Sequence, residues 1–161
     1  MRGYVTLMWR QILTGAAAGA AGTTALNGLT YLDMAVRARP TSSTPQDTVE
    51  RLVDKLPVDV PGEGDDRANR VSGIGPLMGL TTGIAVGALY GAVTSLTGRP
   101  RPAVGGLAAT AAVLVGSNGP MAALGVSDPR EWDANAWLSD VIPHLAYGMV
   151  TALTYEATQL S

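Results

Sequence analysis

Residues 73–91 read GIGPLMGLTTGIAVGALYG, and glycine recurs at every fourth position of this stretch. The recurring positions are Gly75, Gly79, Gly83, Gly87 and Gly91. A glycine inside a water-exposed helix costs about 1 kcal/mol relative to alanine. This set of five glycines, the glycine register, therefore needs a compensating gain in stability. Between helices in lipid, small residues let two backbones come into close van der Waals contact. The stretch therefore predicts a tightly packed membrane helix.

Three long segments of the chain contain no charged residue, and one of them includes this stretch. They are the 22 residues after Arg10, the 28 after Arg70 and the 26 after Arg101. About 20 mostly apolar residues suffice for a spanning helix, and soluble core helices rarely extend so far without a charged face. A fourth apolar segment, 136–158, contains Asp140 and His144. We predict an all-α, integral membrane four-helix bundle with spans over about 11–36, 72–97, 103–125 and 136–158.

Composition narrows the function classes further. The chain has 161 residues, and 15% are charged, against about 25% in a typical soluble domain. A single membrane domain over 1–161 is the simplest organisation. It has no cysteine, which excludes disulfides and thiolate metal sites. With a net charge of −2 and no basic run, nucleic acid is not an expected partner.

The apolar segments are also compatible with two other interpretations, a soluble bundle and a signal peptide. A soluble Ala/Gly-rich bundle would have to bury three charge-free helices completely, and 161 residues are too few to cover them. The first segment, with Arg2 and Arg10 ahead of an alanine-rich stretch, is also similar to a signal peptide. We expect an uncut membrane helix there instead.

The polar segment between the first two spans contains a predicted amphipathic helix over about 44–56. Thr44 is the predicted N-cap, and Pro45 occupies the favoured first helical position. Val49, Leu52, Val53 and Leu56 share one face. This face is expected to rest on the membrane surface, on the bundle, or within an ordinary soluble hairpin. Downstream, Pro76 is expected within about the first turn of the second span.

The first span offers a partner for the glycine register. Gly15, Gly19, Thr23 and Asn27 repeat the same spacing of four residues. Such faces indicate close helix contact, but they do not specify whether the contact lies within one chain, between copies or with another protein. We favour contact within the chain, because four small-residue helices can satisfy one another first.

Polar groups within the predicted spans are the candidates for chemistry. Asp140 and His144 are four residues apart and so share a helix face, where they could relay protons. A metal site is not expected, because two ligands are half a site. The structural alternative has Asp140 flanking the helix and His144 bonded to a neighbouring backbone or hydroxyl group. Asn27 and Asn118 are predicted to bond between helices.

No enzyme motif is recognisable in this sequence. GIGPLMG has glycines but opens a membrane helix, and it lacks the preceding strand that a dinucleotide-binding fingerprint requires. No serine elbow or HExxH motif is present. We therefore predict neither enzymatic activity nor a cofactor.

A weak internal repeat divides the chain into two halves. Asn27-Gly28 in the first span has a counterpart in Asn118-Gly119 of the third, and Pro76 of the second has one in Pro143 of the fourth. The predicted unit is a pair of helices, and chance similarity between Ala/Gly-rich helices is the alternative. Lys and Arg counts leave the orientation open, and we slightly favour both termini in the cytoplasm.

Two short motifs resemble those of the YagU-like bacterial inner-membrane proteins. They are TPQDTVERL at residues 44–52 and PHLAYGMVTALTY at residues 143–155. The resemblance covers most of the chain. It implies a multi-pass location in the bacterial plasma membrane and says almost nothing about activity, beyond a link to acid tolerance suggested for one branch.

These observations predict a structural or accessory membrane protein. Its expected partners are membrane lipids and either other membrane-protein subunits or further copies of itself. The alternative is a small transporter or proton-conducting protein that uses Asp140 and His144 inside the bundle. The surroundings of His144 distinguish the two, because a water-filled cavity favours transport and dry packing against backbone favours the accessory role.

Overall fold

The computed structural model describes residues 2–160 and the side chains of residues 5–160. Within this range the chain forms five α-helices and one 3₁₀ turn at Pro129–Glu131, and no strand. The helices are α1 (Arg2–Arg37), α2 (Thr44–Lys55), α3 (Gly64–Thr97), α4 (Pro102–Ala123) and α5 (Ala134–Leu160). The predicted all-α class is confirmed.

The four long helices pack with neighbours antiparallel. The most extensive contacts join α1 to α3, α1 to α5 and α4 to α5, whereas α3 and α4 touch more sparsely. We call the end that carries the start of α1, the 98–101 linker and the end of α5 the terminal end. The opposite end, with segments 38–63 and 124–133, is the loop end. The short linker thus makes α3 and α4 antiparallel.

Two of the helices begin earlier than predicted. α1 begins by Arg2 instead of near residue 11, and α3 begins at Gly64 instead of near residue 72. Asp65 and Asp66 in the first turn of α3 interact favourably with the positive end of the helix dipole. Pro76 therefore lies well inside α3, and its prediction near the first turn is wrong. At 34 residues, α3 is about 51 Å long, against about 30 Å for a bilayer core.

Helix α2 packs along the early part of α3. Its N-cap is Ser43 rather than the predicted Thr44, because the helix includes Thr44 as its first residue. Buried Val49 belongs to a cluster with Val60 and Val71. The partly buried side chains packed on this cluster are Val53, Ile74 and Met78. The apolar face of α2 thus rests on α3.

The interior of the bundle consists mainly of small residues and tyrosines, while large aliphatic residues lie outside. Ala18, Tyr147, Ala152 and Tyr155 are buried. Large apolar side chains are exposed along every long helix, among them Leu13, Leu32, Leu77, Leu89, Val104, Leu107, Val115, Leu138, Ile142 and Leu153. Within the described residues, one helix, α3, is both long enough and apolar enough to cross a membrane.

Candidate functional site

The glycine register brings α1 and α3 together at backbone distance. A Cβ placed on Gly87 would lie 2.6 Å from the Gly19 Cα, and one placed on Gly15 would lie 2.9 Å from the Gly91 Cα. A Cβ on Gly19 would lie 2.5 Å from the Gly83 carbonyl oxygen. No real side chain fits these spaces, so the close approach of α1 and α3 requires glycine at these positions.

The five glycines of the register have three different surroundings. Gly83, Gly87 and Gly91 face α1, whereas a Cβ on Gly75 would lie 3.0 Å from Pro45 of α2. Gly79 is exposed, with no atom within 4 Å of an added Cβ. The expectation that Gly79 packs against a helix is wrong within this chain. A spacing of four advances about 40° per step around the helix, so the register winds away from α1.

Asp140 and His144 join a polar cluster that links α4 to α5 near the loop end. Asn118 Nδ2 donates to Asp140 Oδ2 at 2.9 Å, and the predicted interhelical bond of Asn118 is present. His144 Nδ1 lies 2.7 Å from the Asp140 backbone oxygen and 3.4 Å from its Oδ1. His144 Nε2 lies 3.3 Å from Ser117 Oγ. The side chains of Asp140 and His144 are mostly covered, with 19% and 13% exposed.

This geometry determines which histidine nitrogen carries the proton. A backbone carbonyl only accepts hydrogen bonds, so His144 Nδ1 must be the donor to the Asp140 oxygen. The other ring nitrogen, Nε2, faces the Ser117 hydroxyl. Ser117 also bonds to the Val113 carbonyl at 2.9 Å. The cluster therefore connects to backbone on both sides of the imidazole.

Asn27 does not belong to this cluster. It is exposed, and its side chain makes no hydrogen bond with any other described residue. The predicted interhelical bond of Asn27 is wrong, because its position in α1 faces outward. Its neighbour Leu26 packs instead against the buried cluster around Tyr147.

A second polar cluster, which the sequence analysis missed, lies near the terminal end. Tyr155 Oη donates to Gln11 Oε1 at 2.5 Å and lies 2.7 Å from Thr94 Oγ1. Gln11 Nε2 donates to Gln159 Oε1 at 3.0 Å. Tyr155 is buried and stacks edge-on against Tyr90 with ring centroids 5.3 Å apart. This network joins α1, α3 and α5, and its sequence signal was the presence of Gln11 and Tyr155 in apolar helices.

The two clusters are not joined by a chain of side-chain hydrogen bonds. His144 and Tyr155 lie eleven residues apart on α5, which corresponds to about 16 Å along the helix. Three hydroxyl groups of the intervening layers donate to backbone carbonyls, whereas the buried Thr151 hydroxyl has no hydrogen-bond partner among the described residues. Thr23 donates to Gly19, Thr110 to Gly106 and Tyr147 to Gly83, at 2.8, 2.9 and 2.6 Å. These bonds tie hydroxyls to helices and leave the two clusters separate.

Ion pairs lie mainly at the two ends of the bundle. Asp33 pairs with Arg37 at 3.4 Å and also with Arg39. At the opposite end, Arg99 of the linker lies 3.7 Å from Glu156.

The carboxylates of the loop-end segments show the effect of such pairing on their pKa values. Arg67 donates to both oxygens of Glu50 at 2.6 Å, and this bonding lowers the pKa of that carboxyl group. Hydrogen bonds from Arg130 lower the pKa of Asp128 to about 2. Both carboxylates are therefore charged at neutral pH and fix local turns and helix contacts.

Among the described residues, no three histidine, aspartate or glutamate side chains converge in a possible metal site. No known protein family, curated protein or solved structure matches this chain. The site and fold define an all-helical bundle held by glycine contacts, with one polar cluster toward each end. The YagU-like family and the two-fold repeat remain predictions.

Proposed function

We propose that this chain is a four-span membrane protein of the bacterial plasma membrane with a structural or accessory role. In this role it packs, through its remaining helix faces, with copies of itself or with a larger membrane complex. Small-residue contacts make its own bundle rigid and compact.

The inverted distribution of side chains carries this proposal. Leucine, isoleucine and valine side chains are exposed along all four long helices, while the interior holds glycine, alanine, threonine and tyrosine. In water, so large an exposed apolar surface would drive aggregation or association. In lipid, the same surface meets a solvent of equal polarity, and contact between small residues becomes the source of helix association.

The distribution of side chains on α4 is consistent with this proposal. Its outward positions carry Val104, Leu107 and Val115, whereas Gly105 and Ala109 face the interior. The apolar outer face of α4 is the surface that lipid would contact.

The accessory role is favoured by how the polar groups are used. The His144 ring is mostly covered and bonded to the Asp140 backbone, and the Thr23, Thr110 and Tyr147 hydroxyls between the two clusters donate to backbone carbonyls. Such bonds fix helix positions. This arrangement matches dry packing of His144 rather than a water-filled path.

The test is affinity purification from bacterial membranes in a mild detergent, after washing the membranes at alkaline pH. We expect the protein to stay in the washed membranes and to elute with a stoichiometric membrane-protein partner or as a defined homo-oligomer. Elution from the membranes during the wash would overturn the membrane assignment. Recovery as a bare monomer under several mild detergents would count against the accessory role.

Proton conduction is the second candidate, and the Asn118–Asp140–His144–Ser117 cluster supports it. One carboxylate and one imidazole adjoin inside the bundle, and ionisable groups at such depth are functional candidates by default. Liposomes with a trapped pH-sensitive dye would report proton flux. A flux that disappears in His144→Ala would replace the accessory assignment with conduction.

A further inference from the structure

The sparse contact between α3 and α4 leaves a groove at the terminal end of the bundle. It has a volume of about 270 Å³ and is lined by Tyr90, Val93, Thr97, Arg99, Pro100 and Ala108, among others. Val93 and Ala108 are exposed, so the groove opens to the side of the bundle. Pockets that enclose a whole small ligand are usually about 300–1,000 Å³, so this groove fits a segment of a larger molecule.

The mouth of the groove is basic. Arg99 and Arg101 lie in the four-residue linker, directly beyond the last turn of α3 and before the first turn of α4. The Arg99 side chain is 48% exposed, and its one carboxylate neighbour is Glu156 at 3.7 Å. Arg101 is exposed and makes no ion pair with any other described residue. Arg99 lines the groove and Arg101 lies two residues further along the linker, so positive charge lies at this end of the groove.

The helix ends do not cancel this charge. The C-terminus of α3 and the N-terminus of α4 meet at the linker, and their dipoles have opposite sign there. The charges at this site are consequently the two guanidinium groups and the Glu156 carboxylate, which leaves a net positive charge. Guanidinium groups bind phosphate oxygens through paired N–H donors.

We propose that this groove binds an anionic phospholipid. Its phosphate contacts Arg99 and Arg101, and the first part of an acyl chain lies along Val93 and Ala108. Charge complementarity selects the anionic headgroup, and the apolar lateral opening selects a lipid over a free anion. This inference rests on the membrane location proposed above.

The test is native mass spectrometry of the detergent-solubilised full chain, titrated with phosphatidylglycerol or with phosphatidylcholine. We expect phosphatidylglycerol to bind more tightly by about tenfold, the effect of one charge-assisted hydrogen bond. The double variant Arg99→Gln/Arg101→Gln should lose this preference. The matched control is Arg51→Gln/Lys55→Gln at two exposed positions of α2. It removes the same charge and should retain the preference for phosphatidylglycerol.

A third variant tests the groove itself with both arginines intact. Ala108→Leu places a larger side chain in the groove and should weaken phosphatidylglycerol binding, while the thermal unfolding of the bundle stays unchanged. Equal binding of both lipids, equal loss in the α2 control, or full competition by millimolar inorganic phosphate would overturn the proposal. Membrane association of the wild-type chain is measured first, so a failed lipid preference is distinguishable from a failed membrane assignment.

Discussion

At the scale of single residues, the contact between α1 and α3 depends on absent Cβ atoms. Gly15 and Gly19 on one helix face Gly87 and Gly91 on the other, and no side chain separates the two backbones. Overpacking a close contact of this kind costs about 1–3 kcal/mol. Gly79, in the same helix, has open space around it. The two kinds of glycine therefore make opposite predictions.

Gly87→Ala is expected to lower the free energy of unfolding by about 1–3 kcal/mol, because the new methyl group would overlap the Gly15 carbonyl and the Gly19 backbone. Gly79→Ala should be neutral or slightly stabilising, since alanine favours a helix over glycine. Unfolding by SDS titration in mixed micelles, followed by circular dichroism, measures both. Equal effects of the two substitutions would contradict the intrachain contact.

At the scale of elements, the two antiparallel pairs use similar contacts. In the α1–α3 pair, Thr23 bonds back to Gly19 and its hydroxyl fills the space beside Gly83. In the α4–α5 pair, Thr110 bonds back to Gly106 beside Gly148. A threonine four residues after a glycine thus meets a glycine of the partner helix in each pair. The two helix pairs thus use the same kind of contact, while the Asn27–Asn118 repeat stays a prediction.

The α2–α3 contact combines an apolar cluster with one ion pair. Val49 packs with Val60 and Val71, while Glu50 and Arg67 bond through both carboxylate oxygens. Because the pair lowers the pKa of Glu50 in the folded protein, its contribution to stability is present above the ordinary value of 4.5. That contribution is lost as the pH falls through the lowered pKa.

We therefore expect the α2 amides to lose hydrogen-exchange protection below about pH 4.5, after correction for intrinsic exchange rates. Glu50→Gln should show reduced protection already at pH 7, with little further change on acidification. Glu63→Gln, which alters an exposed residue at the start of α3, is the control and should keep the wild-type pH dependence. Acid-insensitive protection of wild-type α2 would contradict a role for this ion pair.

At the scale of the whole molecule, the fold places the start of α1, the 98–101 linker and the end of α5 at one end and the long polar segments at the other. Arg99 and Arg101 lie directly beside helix ends at the terminal end, and Arg10 lies in the first third of α1. Under the proposed membrane location, arginines so close to spanning segments favour the cytoplasmic side. The proposed four-span topology would then put the loop end outside.

Two single-cysteine variants test this topology, because the natural chain has no cysteine. Ser42→Cys at the loop end should react with a membrane-impermeant maleimide in intact spheroplasts. Leu160→Cys should react only after the spheroplasts are permeabilised. Both positions are exposed. Labelling of both variants in intact cells would contradict four spans, and labelling of Leu160→Cys alone would reverse the orientation.

Much of the fold could be predicted because charge-free segments and glycine spacing are local properties. The amphipathic helix begins within one residue of its prediction, and Gly15 and Gly19 lie where the spacing placed them, opposite Gly83, Gly87 and Gly91. Helix starts were less predictable, since polar turns such as those around Asp65 continue a helix beyond its apolar segment. The prediction for Asn27 was wrong for a related reason. Its spacing from Thr23 places it near the packing face of α1, but a face with this spacing winds around the helix and turns Asn27 outward.

The sequence by itself determined that the chain is helical and that small residues pack its helices, because helix periodicity and residue size are written in the order of residues. The tertiary structure alone decided which polar groups meet. Gln11 and Tyr155 are 144 residues apart, yet they share a hydrogen bond because α1 and α5 lie antiparallel. His144 likewise faces Ser117 through the pairing of α4 with α5. Such partners depend on helix order and rotation in the bundle, which no local pattern encodes.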